Sequence, residues 1–179
     1  MPRYRVGETP AIRIVHLNGP TFAALAQGDL AAANVVSPVP LPAAFADAEW
    51  CGLWQLRSRQ AEEDPASAAW ITGAIWDERR HLAVGMAGYH APPGQSGMVE
   101  IGYAVEARHR RQGYARAALE VLLRRAAREP QIRTVRVSIS PTNLASYRLA
   151  SQYGFIEVGE HVDEEDGPEI IYEVAADKL

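Results

Sequence analysis

Hydrophobic and polar positions in the first third of the chain predict mostly helices. Residues 12–17 alternate well enough to predict a first strand, and the alanine-rich residues 20–33 predict short helices that break at Gly28. The closely spaced prolines of residues 37–42 exclude a helix there, because each proline removes an amide donor. A helical spacing of large apolar residues then predicts a helix over residues 47–62.

In the rest of the chain, hydrophobic positions repeat with the two-residue period of strands, and helical segments lie between these strands. Residues 69–76 and 82–89 predict a hairpin with a charged tip, and residues 91–97 predict a loop. The further elements that the pattern predicts are a strand over residues 98–105, a helix over 113–128, a strand over 132–139, a helix over 143–153 closed by Gly154, and strands over 155–159 and 170–174. This order predicts an α/β (α+β) fold with one mixed sheet, in a single domain over residues 1–179.

The composition narrows the class of protein. A chain of 179 residues, 47% of them hydrophobic, can bury a core, and a net charge of −4 argues against a general nucleic-acid binder. No apolar run approaches the ~20 residues that cross a bilayer. Residues 1–6 lack the apolar core of a signal peptide. We therefore expect a cytoplasmic protein that binds neither nucleic acid nor a membrane.

Cysteine and histidine positions predict no metal site. The single cysteine, Cys51, permits neither an internal disulfide nor a cysteine zinc cluster, and a buried thiol explains it better than a nucleophile. The five histidines are scattered, with no pair at metal-ligand spacing. We therefore expect no metal.

Arginines are concentrated in one segment of an otherwise acidic chain. Lys178 is the only lysine, which together with the many alanines is typical of a GC-rich, bacterial genome. Seven arginines fall within residues 108–128, and such a local asymmetry can mark an anion site. A solvated helix face would explain three of them equally well, namely Arg124, Arg125 and Arg128.

The same segment carries the features of a phosphate site. A predicted strand passes through an arginine-rich turn into a helix that begins at Gly113. A helix N-terminus offers free amides and about half a positive charge, so it binds phosphate. Gly113 allows the backbone to approach a bulky anion, small Ala115 keeps the approach clear, and nearby arginines add charge-assisted hydrogen bonds. The spacing matches neither a Walker A loop nor the dinucleotide Gly-x-Gly-x-x-Gly motif.

Three ordered motifs resemble the GNAT superfamily of N-acetyltransferases. Residues 110–115, Arg-Arg-Gln-Gly-Tyr-Ala, resemble the family's Arg/Gln-x-x-Gly-x-Gly/Ala signature, which lies between a strand and a long helix. Residues 143–146, Asn-Leu-Ala-Ser, followed by Tyr-Gly-Phe at 153–155, resemble its Asn-x-x-Ser…Gly-Phe segment. Residues 100–103, Glu-Ile-Gly-Tyr, resemble the branch that includes ribosomal-protein N-terminal acetyltransferases. The resemblance covers residues 69–175 well and the earlier residues by element order alone.

The resemblance implies a mixed, mostly antiparallel sheet with splayed parallel central strands and flanking helices. It also implies acetyl-CoA as co-substrate, bound where the two strands splay apart. An acetyl group would pass directly to a primary amine, either a protein N-terminus or a small molecule. The pyrophosphate would lie on the amides of residues 110–116, and the pantetheine against the backbone at the strand end. The cofactor-binding residues implied in this way are Val105, Arg110, Arg111, Gln112, Gly113, Tyr114, Ala115, Arg116, Asn143 and Ser146.

Two residues are candidates for catalysis, and each has a structural alternative. Glu100 corresponds in position to a strand carboxylate that some family members use as general base, although a solvent-side glutamate on an alternating strand would look the same. Ser146 could protonate the departing thiolate, or it could serve, with Asn143, the start of a helix. Ala150 stands where many family members carry a tyrosine as general acid, so the general acid stays open.

The resemblance also leaves the activity open between alternatives. The leading hypothesis is an acyl-CoA-dependent N-acyltransferase. The alternatives are an antibiotic-modifying acetyltransferase of the same fold and a non-enzymatic acyl-CoA sensor, which the missing tyrosine keeps open. The expected partner is an amine acceptor, and the chain is expected to be a monomer or a homodimer. Trp50 and Trp54, four residues apart on a predicted helix, either border the acceptor site or pack in the core.

Overall fold

The computed structural model describes residues 9–179, so the expectation for residues 1–6 lies outside the described residues. Short 3₁₀ turns separate several of the main elements. None of the helices in the described part of the chain is long and apolar enough to span a bilayer. The helices and strands, in chain order, are β1 (Ile12–His16), α1 (Gly19–Ala26), α2 (Leu30–Val36), α3 (Cys51–Glu63), β2 (Gly73–Asp77), β3 (Leu82–Tyr89), β4 (Met98–Val105), α4 (Tyr114–Arg128), β5 (Thr134–Ile139), α5 (Leu144–Ala150), β6 (Ile156–Asp163) and β7 (Gly167–Ala175).

The chain forms two compact units. Unit 1 comprises Met1–Pro92 and Gly102–Val121, and unit 2 comprises Pro93–Ile101 and Leu122–Leu179. Strand β4 and helix α4 therefore each contribute residues to both units. The strands follow the hydrogen-bonded order β1-β2-β3-β4-β5-β7-β6, which confirms the predicted mixed α/β fold. The single-domain organisation stays a prediction.

Antiparallel ladders join the first strands of unit 1. β1 pairs with β2, and β2 pairs with β3 through a register shift between Ile75 and Trp76. Every residue of β2 is buried. A Cβ atom at Gly85 of β3 would collide with the carbonyl oxygen of Ala104 in β4, so the glycine permits the close approach of these two strands.

An aromatic cluster fills the core of unit 1. The indole of Trp54 in α3 stacks against Phe22 of α1 and against Phe45, with ring centroids 6.1 and 5.8 Å away. Trp54 is fully buried, and its Nε1 donates to the carbonyl oxygen of Phe45 at 2.6 Å. Trp50 packs half-buried against the same cluster. The interpretation of Trp54 as a core residue is therefore confirmed.

One parallel and two antiparallel pairs build the sheet of unit 2. β4 and β5 pair in parallel over three residue pairs, from Met98–Thr134 to Glu100–Arg136, although β5 continues to Ile139. β7 pairs antiparallel with both β5 and β6. The predicted parallel central strands are therefore present.

Two predicted element starts differ from the structure for local reasons. β2 begins at Gly73 instead of residue 69, because residues before it form a 3₁₀ turn over Pro65–Ala69. The side chain of Asp64 caps this turn by accepting a hydrogen bond from the Ala66 amide at 3.1 Å. α3 begins at Cys51 instead of residue 47, because the preceding residues form a separate 3₁₀ turn.

The last hairpin is longer than predicted. The acidic turn after residue 162 is the tip of two paired strands, β6 and β7, which the pattern placed over residues 155–159 and 170–174. The carboxylate of Asp163 accepts hydrogen bonds from the amides of Glu165 and Asp166 at 2.8 and 2.9 Å. Gly167 then adopts a φ of 76°, so the chain reverses tightly. The charged residues at this tip interrupt the apolar alternation that predicts a strand, so the pattern missed the ends of β6 and β7.

Replacing Trp54 with phenylalanine tests the aromatic core. The change leaves the buried carbonyl of Phe45 without its indole donor and opens a cavity, so we expect the free energy of unfolding to fall by about 2–4 kcal/mol. Leu56→Ala on the exposed side of the same helix is the control, and we expect a change within about 0.5 kcal/mol. Urea unfolding followed by circular dichroism measures both, and equal losses would contradict the assignment.

Candidate functional site

The segment between β4 and α4 forms a tight turn with two left-handed residues. After β4, a 3₁₀ turn covers Ala107–His109, and the chain then enters α4. Arg111 adopts a φ of 58° and Gly113 a φ of 86°. The left-handed conformation costs a non-glycine residue such as Arg111 roughly 1–3 kcal/mol, and such costs concentrate at ligand-binding turns.

This turn leaves backbone donors available at the N-terminus of α4. At the start of the helix, the Ala117 amide donates to the carbonyl of Gly113 at 3.0 Å. Within residues 9–179, several amides at this helix start donate to no acceptor, namely those of Arg111, Gln112, Gly113 and Ala115. Helix α4 has 15 residues, and its dipole places about half a positive charge at the N-terminus of the helix. This helix start is therefore a candidate anion site.

The arginines around the turn are used in different ways. Arg110 folds back, and its Nε donates to the carbonyl oxygen of Val105 at 3.1 Å. Arg108 forms an ion pair with Glu106 at 2.7 Å, which neutralises it locally. Arg111 is exposed and Arg116 is half-buried. The carbonyl oxygen of Val105 has a second lone pair, so it can accept one more hydrogen bond besides the one from Arg110.

A buried carboxylate beneath the turn holds the start of α4. The hydroxyl of Tyr114 donates to Oδ2 of Asp77 at 2.5 Å, and both side chains are almost completely buried. Oδ1 of Asp77 accepts hydrogen bonds from the amides of Arg79 and Arg80 at 2.8 Å each. Nη1 of Arg80 donates to the Tyr114 hydroxyl oxygen at 3.2 Å. The Tyr114 side chain therefore anchors the helix, and the predicted cofactor role could fall only on its main chain.

His109 is a second buried group of this turn. Its ring packs edge-on against Tyr114, with centroids 6.3 Å apart, and its Nε2 lies 3.8 Å from Oε2 of Glu106. Burial lowers the pKa of His109 below its ordinary value, and this outweighs the opposing charge of Glu106. The histidine is therefore neutral at physiological pH and supports the turn by packing.

Glu100 occupies a half-buried position in unit 2. Ser138 of β5 donates a hydrogen bond from its Oγ to Oε1 of Glu100 at 2.6 Å. The carboxylate is therefore held in one orientation by the neighbouring strand. This placement differs from that of a fully solvated strand glutamate.

Asn143 and Ser146 both lie at the start of α5 in unit 2. Oδ1 of Asn143 accepts a hydrogen bond from the Ser146 amide at 3.2 Å, so Asn143 caps the helix. The Ser146 hydroxyl is half-buried and makes no hydrogen bond to any residue in the described range 9–179. The capping alternative is thus confirmed for Asn143, while the Ser146 hydroxyl is left with donor capacity.

Ala150 occupies the position at which many family members carry a tyrosine. Ala150 is buried. Tyr147 is exposed and packs its ring against Tyr172, with centroids 5.7 Å apart, and Tyr153 is half-buried. Burial raises the pKa of Tyr172, which makes it a weaker acid.

Sequence reasoning missed the residues that hold the start of α4 in place. Asp77 and Arg80 were assigned to a charged hairpin tip, a position where solvent exposure is usual. A signal existed in the sequence, because Asp77 comes directly after the apolar run Ala74–Trp76. The structure makes Asp77 the last residue of β2 and buries it fully. Its partner Tyr114 lies 37 residues away, and nothing in the sequence pairs the two.

Comparison with known proteins identifies the family. A family model described as an acetyltransferase (GNAT) domain matches residues 20–156. This match covers more than half of the chain, so the chain belongs to the GNAT acetyltransferase family. The predicted family, and with it the assignment to a class of acetyltransferase enzymes, is confirmed.

Solved structures of acetyltransferases share this fold at low identity. The ribosomal-protein-S5-alanine acetyltransferase from Vibrio fischeri has a TM-score of 0.61 at 15% identity, with 99% of this chain and 98% of that chain covered. The microcin C7 self immunity acetyltransferase MccE, in complex with acetyl-CoA and AMP, has a TM-score of 0.60 at 14% identity, with 92% of each chain covered. These likenesses establish the fold.

One curated protein is similar in sequence over part of the chain. The protein YjdG of Bacillus subtilis (strain 168), named an uncharacterized N-acetyltransferase, is 33% identical over 88 residues, or 49% of this chain. The chain spans about half the length of this relative, 51%. The match supports the family and leaves the substrate open.

The buried hydroxyl of Tyr114 makes stability depend on pH in the alkaline range. Burial and the Asp77 hydrogen bond raise the pKa of Tyr114 to about 12, from an ordinary value of 10.0. The folded chain therefore keeps the proton where the unfolded chain loses it, and this contribution, about 2–3 kcal/mol, is complete below pH 10 and is lost toward pH 12. Tyr114→Phe removes the contribution, so we expect a difference between wild type and variant that shrinks from pH 10 upward.

Urea unfolding of both proteins at a series of alkaline pH values measures this difference. Tyr147→Phe is the control, because Tyr147 is exposed and its ring contact does not depend on its hydroxyl. A Tyr114→Phe difference that stays constant across the alkaline range would contradict the raised pKa.

Proposed function

We propose that this chain is an acetyl-CoA-dependent N-acetyltransferase that transfers an acetyl group directly to a primary amine. The observation that carries the proposal is a set of amides without an acceptor in the described chain, at the start of a 15-residue helix and among arginines, namely those of Arg111, Gln112, Gly113 and Ala115. Membership of the GNAT family supports the reaction class. The name of the relative YjdG, an N-acetyltransferase, supports a nitrogen acceptor.

The anion site fits the pyrophosphate of acetyl-CoA. Two adjoining phosphates need several donors at once, and a helix N-terminus with amides that lack an acceptor supplies such donors. The guanidinium groups of Arg111 and Arg116 add charge that exposed amides alone do not supply. The complex of the neighbour MccE with acetyl-CoA shows that a protein of this fold binds the ligand.

The catalytic roles fall on two side chains of unit 2. An acceptor ammonium must first lose a proton, and the carboxylate of Glu100, oriented by Ser138, is the proposed acceptor of it. The neutral nitrogen then forms a bond to the acetyl carbon while the carbon–sulfur bond breaks. Ser146, whose hydroxyl is otherwise unbonded in the described chain, relays the second proton of the nitrogen to the leaving sulfur. The products are an amide and the free thiol of CoA.

The acceptor that this chemistry requires is a primary amine, and we propose two sources of it. A protein N-terminus and a small-molecule amine both present a primary amine, and the neighbour from Vibrio fischeri is named a ribosomal-protein-S5-alanine acetyltransferase. A cytoplasmic location is part of the proposal, because a single free cysteine suits a reducing compartment. A monomer or homodimer remains our expectation.

Adding bulk beside the amides tests the cofactor site. Ala115→Val keeps an ordinary helical backbone while placing a branched side chain next to the donors, so we expect acetyl-CoA affinity to fall by about tenfold or more with little loss of stability. Gly113→Val adds the strain of a positive φ and a contact with Pro10 at 3.0 Å, so it should lower both affinity and stability. Calorimetry and thermal unfolding measure the two effects.

Gly28 provides a control that is matched for strain. It has a φ of 70° and nothing within 4 Å of a Cβ atom. Gly28→Val should therefore lower stability and leave acetyl-CoA affinity intact. Acetyl-CoA should also raise the melting temperature of the wild type by mass action, while NAD and ATP should not. Unchanged affinity in Ala115→Val, or equal shifts by all three ligands, would remove the cofactor site.

Turnover of acetyl-CoA with a panel of primary amines, followed by free-thiol release, tests the activity itself. Glu100→Gln keeps the size and the Ser138 contact but removes basicity, so we expect a rate loss of about 10²–10⁴-fold with unchanged acetyl-CoA affinity. Higher pH should partly rescue the variant, because it deprotonates the amine in solution. Glu160→Gln, an exposed glutamate on strand β6, is the matched control.

Two outcomes separate the enzyme from its alternatives. Acetyl-CoA binding without thiol release for any amine would indicate a sensor. A Glu100→Gln rate close to that of the wild type from about pH 6 to about pH 9 would remove Glu100 as the base and leave the transferase assignment standing.

A further inference from the structure

Three side chains with metal-binding atoms meet on the hairpin of β6 and β7. His161 and Asp163 are two residues apart on β6, so both project from the same face of the strand. Glu169 of β7 lies directly opposite His161 in the antiparallel register. The ligand atoms of all three residues lie within 4.8 Å of one another.

One separation in this group matches that between two ligands of a small transition-metal ion. Nε2 of His161 lies 3.2 Å from Oε2 of Glu169. Two atoms bound to one tetrahedral Zn²⁺ at about 2.1 Å are about 3.4 Å apart, so these atoms need to move little to share an ion. A hydrogen bond between His161 and Glu169 has a similar length, so this distance alone does not distinguish a hydrogen bond from a shared ion. The carboxylate of Asp163 supplies a third ligand atom, which a simple hydrogen bond does not require.

The third ligand is held in place by the turn. Oδ1 of Asp163 accepts the amides of Glu165 and Asp166, which fixes the carboxylate beside the imidazole. The Glu169 side chain is mostly enclosed, while that of His161 is 41% exposed. The cluster is therefore ordered on one side and open to solvent on the other, as an ion that exchanges with solution requires.

We propose that His161, Asp163 and Glu169 bind a divalent transition-metal ion, with Zn²⁺ as the best match. One imidazole nitrogen and two carboxylate oxygens form a ligand set that Zn²⁺ accepts, and a water completes four-coordination. The ion joins the two strands near the tip of the hairpin and stabilises the folded chain. The sequence analysis expected no metal because it considered only the spacing of the histidines. It did not consider the carboxylates, which the hairpin brings next to His161. This site does not depend on the proposed transferase activity.

Zn²⁺ titration of the full chain, freed of metal by a chelator, tests the site by calorimetry. We expect one ion per chain in the wild type. His161→Ala removes the nitrogen ligand, and Asp163→Asn removes the carboxylate charge while keeping an oxygen for the two turn amides. Loss of an outer-shell partner already weakens metal affinity by about 10–100-fold, so each variant should bind at least about tenfold more weakly.

Glu164→Gln is the matched control, because it removes the same charge from the same turn at a side chain outside the cluster. We expect its Zn²⁺ affinity to equal that of the wild type. All four proteins are also compared on a Cys51→Ala background, since Cys51 is the only thiol that competes for Zn²⁺. Absorption of bound Co²⁺ in the visible range reports on tetrahedral coordination.

A second measurement keeps the result clear if His161→Ala weakens the hairpin. Zn²⁺ should raise the melting temperature of the wild type and of Glu164→Gln by mass action, and at the same Zn²⁺ concentration should raise that of Asp163→Asn by less. Absence of binding to the wild type would overturn the proposal. So would unchanged affinity in His161→Ala and Asp163→Asn, or an equal loss in Glu164→Gln, which would indicate charge attraction alone.

Discussion

The proposed anion site depends on the hydrogen bonds of the buried Asp77 carboxylate. A carboxylate removed from water is costly unless it is fully hydrogen-bonded. Asp77 meets this requirement with two amides of its own turn and the hydroxyl of Tyr114. Because Tyr114 is the first residue of α4, the same hydrogen bonds that make the burial tolerable also fix where the helix begins.

A fixed helix start has a consequence for the turn before it. The chain must reach Tyr114 from the end of β4 within a few residues, and it does so through left-handed Arg111 and Gly113. This path leaves several amides pointing outward without partners in the described chain. Strain and unpaired donors weaken the isolated fold, and an anionic ligand that accepts those hydrogen bonds would relieve part of that cost.

Unit 2 carries a different kind of electrostatics, in which carboxylates gather around one histidine. Burial raises the pKa of Glu169, and after the opposing effect of His161 the charges of Asp166, Asp163 and Glu100 raise it further. The proposed base and the proposed metal site therefore influence one another through charge. A cation bound by the hairpin would relieve the mutual repulsion of these carboxylates and help to hold the strand ends together.

The sequence by itself determined the order of elements and the family, and it predicted the place of the proposed anion site. A helix that starts at a glycine within an arginine-rich turn has local causes, since a left-handed residue and free amides arise from neighbours in the chain. The fold class followed from the same local periodicity. Tertiary structure decided the rest, because it depends on contacts between distant residues. Examples are the Asp77–Tyr114 hydrogen bond across 37 residues, the Ser138–Glu100 bond across 38, and the pairing that sets Glu169 opposite His161. Such contacts are specified by strand register and packing, which a local pattern of polar and apolar residues does not record.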